Sequence, residues 1–517
     1  MNKIAKNIAG IIGFLCCLVV FILNVVYVSR IADVISENIS TKFYGIFNFL
    51  LTFLLAISIL VISKKLDTIK INKKVKVLIF ILFLVIYIVG QICWINLRQA
   101  TPAYDQRSVY TAALKMYNGD WEELTHSQYL ELYPQQLTLA TVYVAIFKLF
   151  GSTNVILLQY LNVIANAITV IALLLISKQL EKEYKVNKTK TFILIGTFFT
   201  LPLLSTFVYG DISSIPMCFL SIYFAMKYGM ESKKRYIVLS AIFMSIGYIL
   251  RMNNLIYMIA LLIYFILNIM KENEKNVKNI FLSIIMIVLF IAIAILPAST
   301  IKSTLQNKLE LDKNKQYPTL GFLYIGMQES YRANGWYSDY GTWAWDDIEA
   351  SKGQYEDAIK ERISYFVQHP KYFVKFYGGK IASMWTENTY AGIWYNESYN
   401  FKSIDNNEEI NDEKAFIIDE MVKQKTEKLL IYQKAIVLII FGSSILVMIK
   451  YRNNLTNEMI LLIIVFVGGF LFHILWEAKS RYIISYILIL IPFASVCIEN
   501  WKEEKEKIKK IQEKWKK

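Results

Sequence analysis

The chain has 517 residues, of which 56% are hydrophobic, and its mean hydropathy is +0.40. This composition excludes an ordinary water-soluble globular protein, in which about 45–50% of residues are apolar. The formal net charge of +15 does not indicate nucleic-acid binding, because the lysines cluster between apolar runs and in the tail, where they mark membrane topology and contact with anionic lipid. The five cysteines lie in apolar runs and the three histidines are scattered, so neither a disulfide framework nor a metal site is predicted.

Long runs without charge predict about twelve membrane-spanning helices, since a helix needs about 20 apolar residues to cross the hydrocarbon. No small-residue cleavage site follows the first run, which indicates a retained helix rather than a removed signal peptide. The positive-inside rule assigns the lysine-rich loops to the cytoplasm, and this places both termini inside. The predicted spans cover residues 8–28, 44–62, 77–95, 154–177, 191–209, 212–226, 236–250, 254–270, 279–297, 431–449, 459–475 and 482–499.

The same charge pattern predicts which segments face outside. Counts of spans from the two ends of the chain agree only if residues 134–150 do not cross the membrane. We therefore predict a juxtamembrane or re-entrant helix there, on the outer side, so that residues 96–153 form one external segment. A second external region, residues 301–430, is predicted to be mainly helical, because apolar residues recur at helical spacing before a proline ends the pattern. These residues are Ile359, Ile363, Phe366 and Val367, followed by His369 and Pro370.

These elements divide the chain into consecutive predicted parts. The parts are an N-terminal transmembrane hairpin (1–76), a membrane module with the external loop 96–153 (77–300), the external region (301–430), C-terminal transmembrane helices (431–500) and a basic cytoplasmic tail (501–517).

The aromatic residues of the external region, which include Trp336, Trp385 and Trp394, are interpreted as a small core or an interfacial belt rather than as a platform for sugars.

Two aspartates at the outer ends of predicted spans are candidate functional residues. Asp105 follows the third span, and Asp211 occupies the outer turn between the spans 191–209 and 212–226. Charged groups close to a membrane span are costly, and this makes such residues functional candidates by default. A carboxylate in this position can act as a general base. The alternative is that the two are unrelated loop acids, with Asp211 acting as the N-cap of the span that follows.

Basic residues lie at the same predicted outer surface. Arg251 ends the span 236–250, and the segment Trp476–Tyr482, which contains Lys479 and Arg481, precedes the last span. Fixed cations there suit an anionic lipid head group, because the arginine fork matches the geometry of phosphate. The alternative is interfacial snorkelling beside aromatic anchors. No glycine-rich phosphate loop is present, so a cytoplasmic nucleotide site has no support.

Five motifs follow one another along the chain: Ala103-Tyr104-Asp105-Gln106, Gly119-Asp120, a helix that opens at Tyr133-Pro134 and ends at Leu149-Phe150-Gly151, Asp211, and Glu477-Ala478-Lys479-Ser480-Arg481-Tyr482. In their order and sidedness, these motifs resemble membrane glycosyltransferases of the GT-C fold, and they are closest to the protein mannosyltransferase and aminoarabinose transferase branch. The resemblance covers residues 77–300 well, the last spans moderately and residues 300–430 weakly.

The resemblance implies an all-α GT-C helical bundle with juxtamembrane helices on its outer face. It also implies a polyprenyl-phosphate-linked sugar as donor, inversion at the anomeric carbon and Asp105 as catalytic base. Asp211 is the expected second catalytic carboxylate, which would orient the acceptor or tune Asp105. Two departures stand out: the mannosyltransferases have paired acids at Asp105-Gln106, and the aminoarabinose transferases have a lysine at Tyr133. Donor-phosphate binding is therefore expected of Arg251, Arg481 and Lys479. Other expected substrate contacts are Tyr104, Gln106, Tyr133, Gln136, Glu477 and Tyr482.

The expected function is thus an inverting glycosyltransferase of a bacterial cell membrane, whose acceptor is an envelope glycan, lipid or protein. No cofactor is expected, and a need for a divalent metal is left open. The first alternative is a polysaccharide ligase or polymerase that uses polyprenyl-linked sugars. A transporter or lipid flippase would place its charges near mid-span and show inverted repeats, whereas here the notable charges sit at outer span ends. A non-catalytic membrane scaffold would have no need of Asp105.

Overall fold

The computed structural model describes residues 3–31, 37–272, 277–338, 348–396 and 412–498. The predicted basic tail, 501–517, lies outside the described residues. The helices are α1 (Lys3–Val26), α2 (Ile46–Thr68), α3 (Lys73–Arg98), α4 (Asp105–Asn118), α5 (Gln128–Leu132), α6 (Gln136–Phe150), α7 (Val155–Leu180), α8 (Lys188–Gly196), α9 (Thr200–Leu203), α10 (Asp211–Glu231), α11 (Arg235–Leu250), α12 (Leu255–Glu272), α13 (Val277–Lys308), α14 (Thr319–Gly326), α15 (Ile348–Gln368), α16 (Pro370–Trp385), α17 (Asp412–Tyr451), α18 (Asn457–Leu475), α19 (Ile484–Leu488) and α20 (Leu490–Ala494).

The protein is an all-α polytopic membrane protein, as predicted. Within the described ranges, nine helices are long and apolar enough to cross a membrane, and they coincide with nine of the predicted spans. Local sequence explains where several of them begin, because a side-chain oxygen accepts a hydrogen bond from a free backbone N–H of the first turn. The capping residues of α3, α7, α8 and α18 are Asn72, Asn154, Asn187 and Thr456.

The other three predicted spans correspond to less regular elements. Residues 212–226 fall in α10, which begins with polar residues and packs against both α7 and α11. Residues 236–250 fall in α11, which is apolar but only 16 residues long. The described part of the predicted span 482–499, residues 482–498, is broken into a 3₁₀ turn followed by α19 and α20, and most of its apolar side chains are buried.

Segments that the positive-inside rule places on the same side of the membrane are in contact in the structure. At one end of the bundle, Lys6 donates to the carbonyl of Leu455 at 3.2 Å, and Tyr184 donates to that of Asn454 at 2.6 Å. At the other end, Asp211 meets Arg251. The assignment of the first end to the cytoplasm remains a prediction from the positive-inside rule.

Between the first two membrane helices, β1 (Tyr27–Ile31) pairs antiparallel to β2 (Ile39–Phe43). Ser29 is fully buried at the centre of β1, where its backbone N–H donates to the carbonyl of Thr386 at 3.2 Å. Helix α1 packs along α17 and α18, and α2 also packs against α17. The N-terminal transmembrane hairpin, formed by α1 and α2, therefore packs against the C-terminal spans, and its strand β1 is bonded to the external region.

The described part of the external region is helical, as predicted, and α15 ends at Gln368 before Pro370 begins α16. The predicted apolar stripe on α15 is only half right. Ile359 and Phe366 are buried, whereas Ile363 is 47% exposed and Val367 is 76% exposed. Helix α15 contacts α14 and α16, and within the described ranges these neighbours leave two of the four positions uncovered. The indoles of Trp336, Trp385 and Trp394 are buried in packing.

Two glycines with left-handed backbone provide a test of how the α10–α11 junction is held. Gly210 (φ 81°) precedes Asp211, and a Cβ placed there would lie 2.2 Å from the carbonyl oxygen of Leu250. Gly151 (φ 62°) ends α6, with open space around the same position. Both Gly→Ala changes should cost about 1–2 kcal/mol for the left-handed conformation. Gly210→Ala should lose about 1–3 kcal/mol more through overpacking.

The measurement is the thermal unfolding midpoint of the purified variants in detergent. Gly151→Ala is the matched control, because it carries the conformational cost without the clash. Equal midpoints for the two variants would contradict the close backbone contact between α10 and α11.

Candidate functional site

Three charged side chains from distant parts of the sequence meet at one end of the bundle. Asp211 Oδ2 lies 2.7 Å from Arg251 Nη1, and Asp211 Oδ1 lies 3.7 Å from Arg481 Nε. The exposed fractions of these side chains are only 7% for Asp211, 15% for Arg251 and 5% for Arg481. Buried charges persist only when they are compensated, and here one acid is shared by two cations. This group, called the Asp211 cluster, carries a formal charge of +1.

Local structure explains why these residues converge. Asp211 is the first residue of α10, where the helix dipole favours a negative charge, and Arg251 immediately follows the antiparallel helix α11. The N-cap of α10 is Gly210, without a side-chain capping bond. The alternative prediction that Asp211 is an N-cap is therefore wrong, since its carboxylate is directed to the arginines. Asp211, Arg251 and Arg481 were all predicted site residues, and the structure brings them together.

Arg481 lies in an aromatic cradle but keeps one donor unused. Its guanidinium carbon is 4.8 Å from the ring centre of Phe207 and 5.1 Å from that of Tyr482, distances typical of cation–π contacts. Its Nη1 donates a hydrogen bond to the hydroxyl of Tyr395. Among the described residues, its buried Nε has no hydrogen-bond partner, because the Asp211 oxygen at 3.7 Å is too far away. An added oxygen acceptor would complete this guanidinium.

The Asp211 cluster opens onto a pocket between α10, α18 and the segment 476–482. Its lining includes the charged side chain of Arg251, whose guanidinium carbon is 5.2 Å from the ring centre of Tyr482. Apolar side chains, among them Ile212 and Ile484, also line it. A pocket with both charged and apolar walls suits an amphiphile whose head group is anionic.

A second group of charges has the same arrangement. Glu37, whose side chain is 5% exposed, lies 3.1 Å from Lys479 Nζ and 3.7 Å from Arg332 Nε through Oε2. This Glu37 cluster also carries a formal charge of +1. It adjoins the first cluster, because Lys479 and Arg481 are two residues apart on one segment. Lys479 was predicted, whereas Glu37 and Arg332 were missed, since a polar loop gives no sign of which distant cation its acid will meet.

Asp105 is the first residue of α4 and is exposed. It faces the same region, because its negative charge adds to the effect of burial in raising the pKa of Tyr129 and Tyr133. It also acts electrostatically on both Lys479 and Arg481. An exposed carboxylate therefore lies near both cation clusters. The residue before it, Tyr104, has a left-handed φ of 49°.

The other predicted substrate contacts take different positions. Tyr104 is 53% exposed and stacks on Trp394 at 6.2 Å between ring centres. Tyr133 packs among aromatic rings, 5.3 Å from that of Tyr129. Gln136 donates to the hydroxyl of Tyr209 at 2.8 Å.

Gln106 corrects the prediction that it contacts substrate. Its side chain is buried, and its oxygen accepts a hydrogen bond from the backbone N–H of Val208 at 2.8 Å. A buried amide paired with the backbone stabilises a loop, because leaving that N–H unpaired would be costly. Gln106 thus holds the loop that leads to Asp211 and does not face the pocket.

Within the described ranges, no group of three or more His, Cys, Asp or Glu side chains is placed to hold a metal ion.

The comparisons with known proteins agree with the architecture. The chain belongs to the family described as conserved hypothetical integral membrane protein, whose model matches residues 1–502. No curated protein matches the sequence. The class is therefore that of a polytopic integral membrane protein.

Glu477 is buried close to the Glu37 cluster, and its ionisation should be visible in the pH dependence of stability. Burial, together with the negative charges of Asp105 and Glu37, raises its pKa from 4.5 to about 7 despite the opposing effect of Lys479. Between these pH values the folded protein binds more protons than the unfolded chain. The contribution of protonated Glu477 to the free energy of unfolding is therefore complete below pH 4.5 and is lost as pH rises through 7.

We expect Glu477→Gln to remove this dependence. Unfolding midpoints of the wild type and the variant, followed from pH 4.5 to pH 7.5, should diverge by the equivalent of about 3 kcal/mol across the range. Glu123→Gln is the control, because that side chain is 64% exposed. Parallel profiles for wild type and Glu477→Gln would show that folding does not raise the pKa of Glu477.

Proposed function

We propose that this protein is an inverting glycosyltransferase that moves a sugar from a polyprenyl-phosphate donor to a cell-envelope acceptor on the outer side of the membrane. The observation that carries the proposal is the Asp211 cluster, in which a buried arginine keeps an unused N–H beside a pocket at the end of a membrane bundle. A sugar esterified to polyprenyl phosphate is a monoanionic phosphodiester, and it matches the single surplus charge of this cluster.

Phosphate recognition would fall to Arg481 and Arg251. Arginine presents a planar fork of N–H donors that suits phosphate oxygens, and both groups are held in place before ligand arrives. The carboxylate of Asp211 is directed at the two guanidinium groups. Asp211 is therefore better suited to orienting these arginines than to accepting a proton from substrate. Lys479, whose main partner is Glu37 at 3.1 Å, would contribute to the field rather than form the primary contact.

Asp105 is the carboxylate best suited to act as base. It is exposed at the start of α4 and close to both cation clusters. In the proposed step, an acceptor hydroxyl attacks the anomeric carbon from the side opposite the phosphate, and Asp105 takes the hydroxyl proton. The bond between that carbon and the phosphate oxygen breaks, and polyprenyl phosphate leaves with the bonding electrons. The arginines stabilise the charge that gathers on the departing phosphate.

A polysaccharide ligase or polymerase is the second enzyme that these residues would suit, because it also acts on polyprenyl-linked sugars. The two differ in the acceptor, a short or non-glycan molecule in the first case and a growing glycan in the second. An assay that supplies both kinds of acceptor separates them.

Asp105→Asn should abolish transfer while leaving donor binding intact, because the amide keeps the shape of the side chain but cannot accept the proton. We expect a loss of at least about 100-fold in turnover, within the range typical of general base catalysis. Release of undecaprenyl phosphate from a panel of undecaprenyl-phosphate sugars is the measurement. Asp357→Asn, on an 81% exposed side chain, is the control. Full activity of Asp105→Asn at normal expression would exclude Asp105 as the base.

Arg481→Met should weaken binding of undecaprenyl phosphate in nanodiscs by about 10- to 100-fold, the equivalent of about 1.5–3 kcal/mol for a hydrogen bond to a charged group. The control is Arg452→Met, an exposed arginine at the opposite end of the bundle. Unchanged affinity in the Arg481 variant, with normal thermal stability, would argue against a phosphate site at the Asp211 cluster.

A further inference from the structure

A fully buried lysine lies outside both charged clusters, on helix α16 of the external region. Lys380 is 0% exposed, and its Nζ donates to three backbone carbonyls. The acceptors are Gly326 at 2.6 Å, Ile474 at 2.8 Å and Trp476 at 2.7 Å. An ammonium group has three N–H donors, and all three are used.

The three carbonyls explain why a cation is buried at this point. Gly326 is the last residue of α14, Ile474 lies in the last turn of α18, and Trp476 directly follows α18. Carbonyls at helix C-termini have no intrahelical partner and carry partial negative charge. One ammonium group on α16 therefore satisfies three carbonyls from two helix ends, those of α14 and α18, that would otherwise be unpaired in the interior.

The backbone packs too tightly around this lysine for the segments to shift independently. A Cβ on Gly335 would lie 2.6 Å from Lys380 Cδ and Cε, and a Cβ on Gly326 would lie 2.1 Å from the carbonyl oxygen of Leu475. The carbonyl of Gly335 also accepts a hydrogen bond from the N–H of Ala478 at 2.7 Å. The start of the segment 476–482 is thus fixed from two directions.

We propose that Lys380 is a positioning residue, which locks the segment 476–482 so that Lys479 and Arg481 are presented to the Glu37 and Asp211 clusters. The external helices α14 and α16 then act as a brace for the charged segment, rather than as a separate binding domain. The significance of this brace for phosphate binding rests on the proposed function, whereas the mechanical lock does not.

The lock is tested by hydrogen exchange with mass spectrometry on the full-length protein in nanodiscs. Lys380→Met should raise the exchange rate of peptides covering residues 474–482 at least tenfold, with little change in α7 or α10. Lys190→Met is the matched control, because that partly buried lysine donates to the carbonyl of Ala494 and the hydroxyl of Ser443 at the other end of the bundle. If Lys380→Met fails to fold, Lys380→Gln replaces it, since it retains two N–H donors.

A second measurement tests whether the bonds of Lys380 are needed for phosphate binding at the Asp211 cluster. Binding of undecaprenyl phosphate should weaken at least tenfold in Lys380→Met but not in Lys190→Met, even where the two variants have equal thermal midpoints. Unchanged exchange at 474–482, or an equal rise along the whole chain, would overturn the proposal. Raised local exchange with unchanged lipid affinity would overturn the link to the site. A wild-type protein that binds no lipid phosphate would count against the proposed function, and the exchange result would then decide the lock alone.

Discussion

The sharing of one carboxylate by two arginines is the interaction on which this end of the bundle depends. Asp211, Arg251 and Arg481 come from α10, from the end of α11 and from the segment before α19, and each is largely buried. Removal of the acid would leave two cations uncompensated in a region of low dielectric constant, which is far more costly than loss of a surface pair. This requirement holds the start of α10 close to the end of α11 and ties Arg481 to the same place.

A second cluster of the same kind lies beside the first, and in it Glu37 pairs with both Arg332 and Lys479. Each cluster has one cation more than it has acids, and the segment 476–482 supplies one cation to each. Asp105 and Glu477 supply further carboxyl groups in the same region, one exposed and one buried. A surface of this kind combines fixed positive charge with an accessible carboxylate, the two properties that transfer from a phosphate-linked donor would require.

The external region and the N-terminal hairpin are structural parts of this site rather than appendages. The strand β1 is joined to Thr386 after α16, and α16 is joined through Lys380 to the ends of α14 and α18. Such contacts use backbone groups that a helix end or a hairpin leaves unpaired. The family model matches residues 1–502, and this range includes all of these parts.

The sequence alone determined the membrane helices, because hydropathy and helix length are local properties that depend on transfer from water to hydrocarbon. It also pointed to Asp105, Asp211, Arg251 and Arg481, since charges at span ends are costly enough to stand out. Only the tertiary structure decided which charges meet, that Glu37 joins Lys479, that Gln106 supports a loop, and that the last predicted span is broken. These outcomes depend on how distant helices pack, which is set by side-chain shape and by pairing of buried polar groups, and no local pattern encodes either.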